Sequence, residues 1–264
     1  MDVMSFNSPQ GRPPCPSGMG EDEWTLRLEL AACYRLFHHL GWIESIFNHI
    51  SVRLQGPDHN YLINPFGLLY SEVTASNLII IDLDGNPVRP TPYSVNVAGF
   101  VIHSAVHKHR PEVHCVMHTH TTAGMAVACK QGGLRTDNFN SAQLFDRVAY
   151  HDFEGITTDI AEQGRIIQSL GEKEVLILRN HGLLVAGPHI PQAFATMWCL
   201  QRACEVQVLT DSMAGPNVQV PQSVLDAIPL QAKPFREMPG GPRRGQLMFE
   251  AALRGFGIRA ADLV

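Results

Sequence analysis

The stretch Val113-His114-Cys115-Val116-Met117-His118-Thr119-His120 constrains this chain more than any other. It is a short run of β-branched and buried residue types, which reads as an interior strand. Residues two apart in a strand point the same way, so His118 and His120 present both imidazoles on one side. On a helix the same pair would sit about 200° apart and could not share an ion. A strand that delivers two histidines at its C-terminal end is suited to holding a divalent metal, and such a site needs at least one further ligand. His181 is the best candidate: it lies between the apolar segment Glu174–Leu178 and Gly182, which permits a sharp turn.

Length and composition narrow the setting. A chain of 264 residues is enough for one large domain with appendages. With 45% hydrophobic and 17% charged residues it reads as globular. A formal net charge of −5 gives no reason to expect nucleic acid or an anionic membrane as partner. No apolar run approaches the roughly 18 residues that span a bilayer. The N-terminus has neither the basic start nor the apolar core of an export signal. The six cysteines include no Cys-x-x-Cys pair, so a reducing cytoplasm without disulfides is the expected location.

Residues 1–22 are expected to form a flexible N-terminal arm, 23–213 the main domain and 214–264 a C-terminal extension rich in Pro and Gly. Acidic Glu21-Asp22-Glu23, late His38 and His39 and terminal Gly41 bracket a helix over Trp24–Leu40. Strands follow at 46–54 and 61–64, joined by Gly56-Pro57-Asp58, and at 78–83 before Asp84-Gly85-Asn86. A helix over Val97–His109 stops before Pro111. After the His-x-His strand come a small-residue helix at 121–130, a short strand at 148–150 and a helix at 159–170. Strands at 174–178 and 183–187, a long helix at 190–209 and one helix near 245–253 complete the chain. Strands mixed with helices without strict alternation predict an α/β fold of the α+β type, a central, mainly antiparallel sheet covered by helices.

The motifs Phe47-Asn48-His49-Ile50-Ser51-Val52-Arg53, Ile63-Asn64-Pro65-Phe66-Gly67, Phe100-Val101-Ile102-His103-Ser104-Ala105, His118-Thr119-His120 and Asn180-His181-Gly182 occur in this order. In them the chain resembles the class II aldolase/adducin family, typified by fuculose phosphate aldolase, over roughly residues 24–212. The resemblance implies that family's sheet-and-helix fold, usually a homo-tetramer with sites near subunit interfaces. It also implies that His118, His120 and His181 bind the metal, most often Zn2+, with Mn2+ or Fe2+ as alternatives. The family's Ser-Ser-Glu segment, source of a ligand and acid/base glutamate and of phosphate donors, reads Val97-Ala98-Gly99 here. Only Asn48 and the loop from Asn64 to Gly67 remain as candidate substrate-binding groups. A second catalytic position of the family falls near Gln143, whose amide orients but cannot transfer protons at neutral pH.

Three neutral imidazoles leave the ion its full charge, so it can polarise an oxo- or hydroxy-acid and stabilise the enolate formed when a carbon–carbon bond breaks. Decarboxylation needs no base to start; retro-aldol cleavage does, and His103, Tyr150, His151 and Glu154 are the candidates. His103 shares a helix face with His107 four residues on. Arg53 and Arg179 are candidates for holding a carboxylate. The expectation is therefore a metal-dependent carbon–carbon lyase, aldolase or decarboxylase, for a small non-phosphorylated substrate. The alternatives are a non-heme iron(II) oxygenase on the same scaffold and a non-catalytic, adducin-like module.

Overall fold

The computed structural model describes residues 12–236 and 240–264. In chain order the elements are α1 (Glu21–Leu40), β1 (His49–Arg53), β2 (Tyr61–Ile63), β3 (Ile79–Ile81), α2 (Val97–His109) and β4 (Cys115–Thr119). They continue with α3 (Thr122–Ala128), α4 (Phe139–Ala142), β5 (Val148–His151), α5 (Glu162–Leu170), β6 (Val175–Leu178) and β7 (Gly182–Gly187). The chain closes with α6 (Ile190–Ser212), α7 (Gln222–Arg236), α8 (Gln246–Gly255) and a single 3-10 turn at Ala260–Leu263.

Local chemistry accounts for many of the boundaries. Gly41 ends α1 in the left-handed region at φ 70°, and its N–H reaches back to the His38 and Phe37 carbonyls. The Asn96 side chain accepts from the Ala98 and Gly99 N–H groups and starts α2. Thr121 caps α3 the same way through the Gly124 N–H, so the chain turns into a helix directly after His120.

Among the described residues the strands form one sheet in the order β3-β2-β1-β4-β7-β6-β5. Each neighbouring pair is antiparallel except β5 with β6, which is parallel. This is the mixed, mainly antiparallel sheet that the sequence suggests. β4 sits in the centre, and its alternation divides the core. Cys115 and Met117 face a cluster built on α1 and α6, whereas Val116 faces a second cluster built on α2 and α5. His118 follows Val116 onto that second side.

The C-terminal segment departs from the loose extension expected of it. Phe249, Leu253, Ile258 and Leu263 are buried in the same cluster as α1 and α6, and the Ala75 N–H donates to the Leu263 carbonyl. α7 forms despite Pro229 and Pro234 within it, and the four-residue α4 was not anticipated either. Of the expected N-terminal arm, residues 1–11 lie outside the described residues. Residues 12–20 are tied down, with the Trp24 indole donating to the Pro13 carbonyl and Cys15 and Met19 packed on the core. All six cysteines are free. No helix among the described residues is long and apolar enough to cross a membrane.

Candidate metal centre

Two strand ends meet where the motifs predicted. β6 and β7 are joined by Arg179-Asn180-His181, with Asn180 in the left-handed conformation at φ 56°. This reversal brings β7 alongside β4, pairing Leu183 with Thr119 and Leu184 with His118. His181 therefore stands at the tip of one hairpin, next to the residue pair that ends the neighbouring strand. Gly182 is required there for space: a Cβ would lie 2.4 Å from the Thr119 carbonyl oxygen, 3.0 Å from His120 and 3.3 Å from His118.

The three imidazoles converge through their Nε2 atoms. His118 Nε2 lies 2.7 Å from that of His120 and 3.3 Å from that of His181. Two nitrogens bound tetrahedrally to zinc at about 2.0–2.1 Å stand roughly 3.3 Å apart, so the second spacing already suits a shared ion and the first needs a small opening. The tautomer of His118 is set by its backbone: Nδ1 lies 2.9 Å from the Leu183 carbonyl and donates to it, leaving the Nε2 lone pair for a metal. Among the described residues this trio is the one cluster whose ligand atoms all lie within 4.8 Å of one another. The donor set fits a divalent ion.

Electrostatics keep the donors ready. Burial, then the surrounding imidazoles, hold His118 well below the ordinary histidine range, so it is neutral at pH 7. Burial followed by His120 and His151 brings His181 down to about 4. Burial also lowers His120, against the opposing charge of Glu44. Neutral imidazoles are what a metal needs, since a protonated ring has no lone pair to give.

Comparison with known proteins follows the same lines. Residues 28–208 match the family described as Class II Aldolase and Adducin N-terminal domain. The chain belongs to that family. A Caulobacter vibrioides protein named for class 2 aldolase is 43% identical over 224 residues, covering 84% of this chain and 87% of that one. Alpha-adducin of Mus musculus is 44% identical over 245 residues, covering 88% of this chain but only 33% of the adducin. The L-fuculose 1-phosphate aldolase from Glaciozyma antarctica PI12 superimposes with a TM-score of 0.78 at 29% identity, covering 95% of this chain and 97% of that one. This class II aldolase and adducin fold is therefore common to a catalytic relative and to adducin.

Within the family frame, the remaining candidates separate. Asn48 is buried, its amide donating to the Trp42 carbonyl at 3.2 Å and its oxygen accepting the His120 N–H at 3.0 Å. It positions a candidate ligand rather than a substrate. Asn64 is buried too, within 2.9 Å of the Tyr34 hydroxyl. Gly67, at φ 99°, leaves open space where a side chain would stand. Arg53 donates to the His107 carbonyl, and Arg179 donates to the Lys130 carbonyl and lies 4.1 Å over the Tyr150 ring. Both arginines are thus occupied with scaffold groups.

Three of the five residues expected to carry proton transfer or orientation are not brought to the histidine trio. Tyr150 packs on the cluster containing Met117, the face opposite His118, and its hydroxyl accepts the Leu134 N–H at 3.0 Å. Gln143 donates to the Phe139 carbonyl and lines a separate cavity between α4, α6 and α7, which none of the three histidines lines. His103 is fully buried and bonds to His49 and Ser51, so it can act only through them. His151 fares better: it lines a small cavity together with His181, its Nε2 3.4 Å from Glu162 and 3.8 Å from Glu154.

The residue that sequence reasoning passed over is His49. It pairs directly across β1 and β4 with His118, and the two rings lie 4.9 Å apart with a 30° tilt. Gly99, which the resemblance places at the family's glutamate position, makes room for it: a Cβ there would lie 2.8 Å from the His49 ring. Gly99→Glu is therefore expected to displace His49, destabilise the protein by about 1–3 kcal/mol as overpacking does, and alter metal affinity through His118. Urea unfolding with zinc-chelator competition checks this; a variant unchanged in both would show that His49 has room to yield.

Proposed function

We propose that this chain is a metal-dependent carbon–carbon lyase, an aldolase or decarboxylase, acting on a small non-phosphorylated oxo- or hydroxy-acid. The observation that carries this reading is the convergence of three neutral imidazoles, His118, His120 and His181, without a carboxylate in the set. A divalent ion bound there, with zinc as the first choice and Mn2+ or Fe2+ as alternatives, would supply Lewis-acid polarisation of a substrate oxygen.

The chain's own residues do the rest. The Leu183 carbonyl fixes the ring of His118 and Asn48 fixes the backbone of His120, so both hold their directions without a ligand present. Asn48 is buried and bonds the scaffold through its oxygen and one of its two N–H groups, which weakens it as a phosphate donor and supports a non-phosphorylated substrate. Of the candidate bases, His151 and Glu154 line the cavity that His181 also lines, and they are the groups this reading assigns to proton transfer. A homo-oligomer with sites near subunit interfaces, in a cytoplasmic setting, accompanies this reading as the family expectation.

The decisive experiment is purification without chelator, elemental analysis, and a screen of substituted 2-oxo and hydroxybenzoic acids for aldehyde or carbon dioxide release. His118→Ala is expected to abolish both metal content and turnover; unchanged activity would rule out the centre. The 44% identity to alpha-adducin favours a second reading, a binding module without catalysis. An empty site after chelator-free purification would select it. Oxygen consumption during turnover would instead select an iron(II) oxygenase.

A further inference from the structure

The three ligands are not equally deep. His118 is buried, whereas His120 and His181 are partly exposed, so the open side of the centre is the side of those two rings. Each of the two has a phenylalanine beside it. Next to His181, the Phe153 ring stands 6.5 Å away, centroid to centroid, at 71°. Next to His120, the Asn48 side chain accepts the backbone N–H of that histidine, which brings the adjoining Phe47 to the same edge. Phe47 pairs in turn with Phe66, their rings 6.4 Å apart. Phe153 is 54% exposed and Phe47 49%, so large apolar rings stand half in water around the centre.

The start of α2 adjoins the same edge. Its first turn lies against His49, where a Cβ on Gly99 would stand 2.8 Å from the ring, and His49 in turn lies on His118. The segment leading into that helix is tied to Phe66, whose N–H donates to the Ser94 carbonyl. Two residues before Gly99, Val97 is 58% exposed. A helix start ordinarily offers unpaired N–H groups to an anion. Here the Asn96 side chain takes those of Ala98 and Gly99. The charges nearby agree with that closure. A carboxylate, Glu44, rather than a cation acts on His120, and Arg53 and Arg179 are held by backbone carbonyls. Gly67, next to Phe66, leaves open space.

We infer that the substrate carries an uncharged aryl ring beyond the oxygens held at the centre, and that Phe47, Phe66 and Val97 receive that ring. The inference rests on the metal reading proposed above and narrows its substrate to aryl-substituted oxo- or hydroxy-acids. Docking a ring on these side chains removes apolar surface from water on both partners. Aromatic rings pair edge-on or offset at about 4.5–7 Å between centroids, the spacing Phe47 and Phe66 already keep with each other. An anion in the same place would lose hydration and gain neither a cation nor a free helix N–H. Phe153 bounds the entry on the His181 side.

The test compares three hydroxamates that present the same two oxygens to zinc and differ in what lies beyond them. Acetohydroxamate carries a methyl, benzohydroxamate a phenyl ring and phosphonoacetohydroxamate a charged phosphonate. Each is titrated calorimetrically into the zinc-loaded protein and corrected for its affinity for free zinc. Benzohydroxamate is expected to bind at least about tenfold more tightly than acetohydroxamate, the gain from burying most of one ring. Phosphonoacetohydroxamate is expected to bind no more tightly than acetohydroxamate. At equal zinc loading, Phe47→Ala should lose most of the preference for the ring, and Phe47→Leu, which keeps an apolar surface, should retain part of it. Val97→Lys, which supplies a cation, should bind the phosphonate more tightly than the unaltered protein does. The inference is overturned if the three probes bind alike, if the phosphonate binds most tightly to the unaltered protein, or if Phe47→Ala keeps the full preference. A Val97→Lys variant that binds the phosphonate no better would overturn the place given to Val97. Failure of the unaltered protein to take up zinc would overturn the centre itself, whereas zinc uptake without a preference for the ring would overturn this inference alone.

Discussion

Replacing Gly182 by alanine is expected to strip the centre of metal while leaving most of the fold in place. The added Cβ would come within 2.4 Å of the Thr119 carbonyl oxygen, about 1 Å inside ordinary contact. Thr119 belongs to the backbone of a central strand, paired across to Leu183, so no side chain can swing away to relieve the overlap. The strands must part at the point where His118, His120 and His181 converge. Metal–nitrogen distances tolerate only about 0.2 Å. The expected outcome is a loss of zinc affinity on the order of 100-fold or more, with roughly 1–3 kcal/mol lost in urea unfolding. Gly132→Ala is the control, because nothing lies within 4 Å of a Cβ there. Should Gly182→Ala bind zinc as tightly as Gly132→Ala, the hairpin is not what sets the spacing of the ligands.

That His118 and His120 share one side was legible in the sequence because strand alternation is local. His181 reaches them through the long-range pairing of β4 with β7, and was read from its turn motif and the family resemblance. Strand alternation orients the first two and the β6–β7 hairpin places His181 at a turn. The ends of α2 were legible for the same reason, since Asn96 caps it and Pro111 follows close after its last residue. His49 was harder. Its alternation with Ser51 is plain in the sequence, but which strand lies across from β1 is a long-range fact, and only the pairing of His49 with His118 gives the ring its meaning. Tyr150 failed as a candidate by one residue: on β5 it faces away from His118, while its neighbour His151 shares the cavity with His181. α7 was obscured by Pro229 and Pro234, although Leu225 and Ile228 mark a helical spacing beneath them. The C-terminal helix was anticipated, but no periodicity could show that Phe249 and Leu253 would seal the core of α1 and α6.

Acid should unfold the metal-free protein over a narrow range beginning near pH 6. Four imidazoles, those of His49, His103, His107 and His118, are buried, and burial is the first cause of every depression among them. His107 is brought down to about 3, and the partly exposed His181 to about 4. Unfolded, each ring would titrate near 6.5. Above that value neither state binds the protons and stability does not depend on these groups. Below it the unfolded chain takes up protons that the folded chain refuses, so stability falls with pH until the folded groups themselves titrate. Each such proton is worth about 1.4 kcal/mol per pH unit, and four together give roughly 5 kcal/mol per pH unit once the unfolded rings are charged. Ordinary domains have only about 5–15 kcal/mol in all. Circular dichroism of chelator-treated protein between pH 7 and 4 is therefore expected to show a steep loss of structure well above pH 4. If the folded trio holds zinc more tightly than the cysteines and histidines of the unfolded chain do, saturating zinc should carry the transition to lower pH. A metal-free protein that stays folded at pH 4, with unchanged urea stability, would mean that these rings are hydrated or charged in the native state.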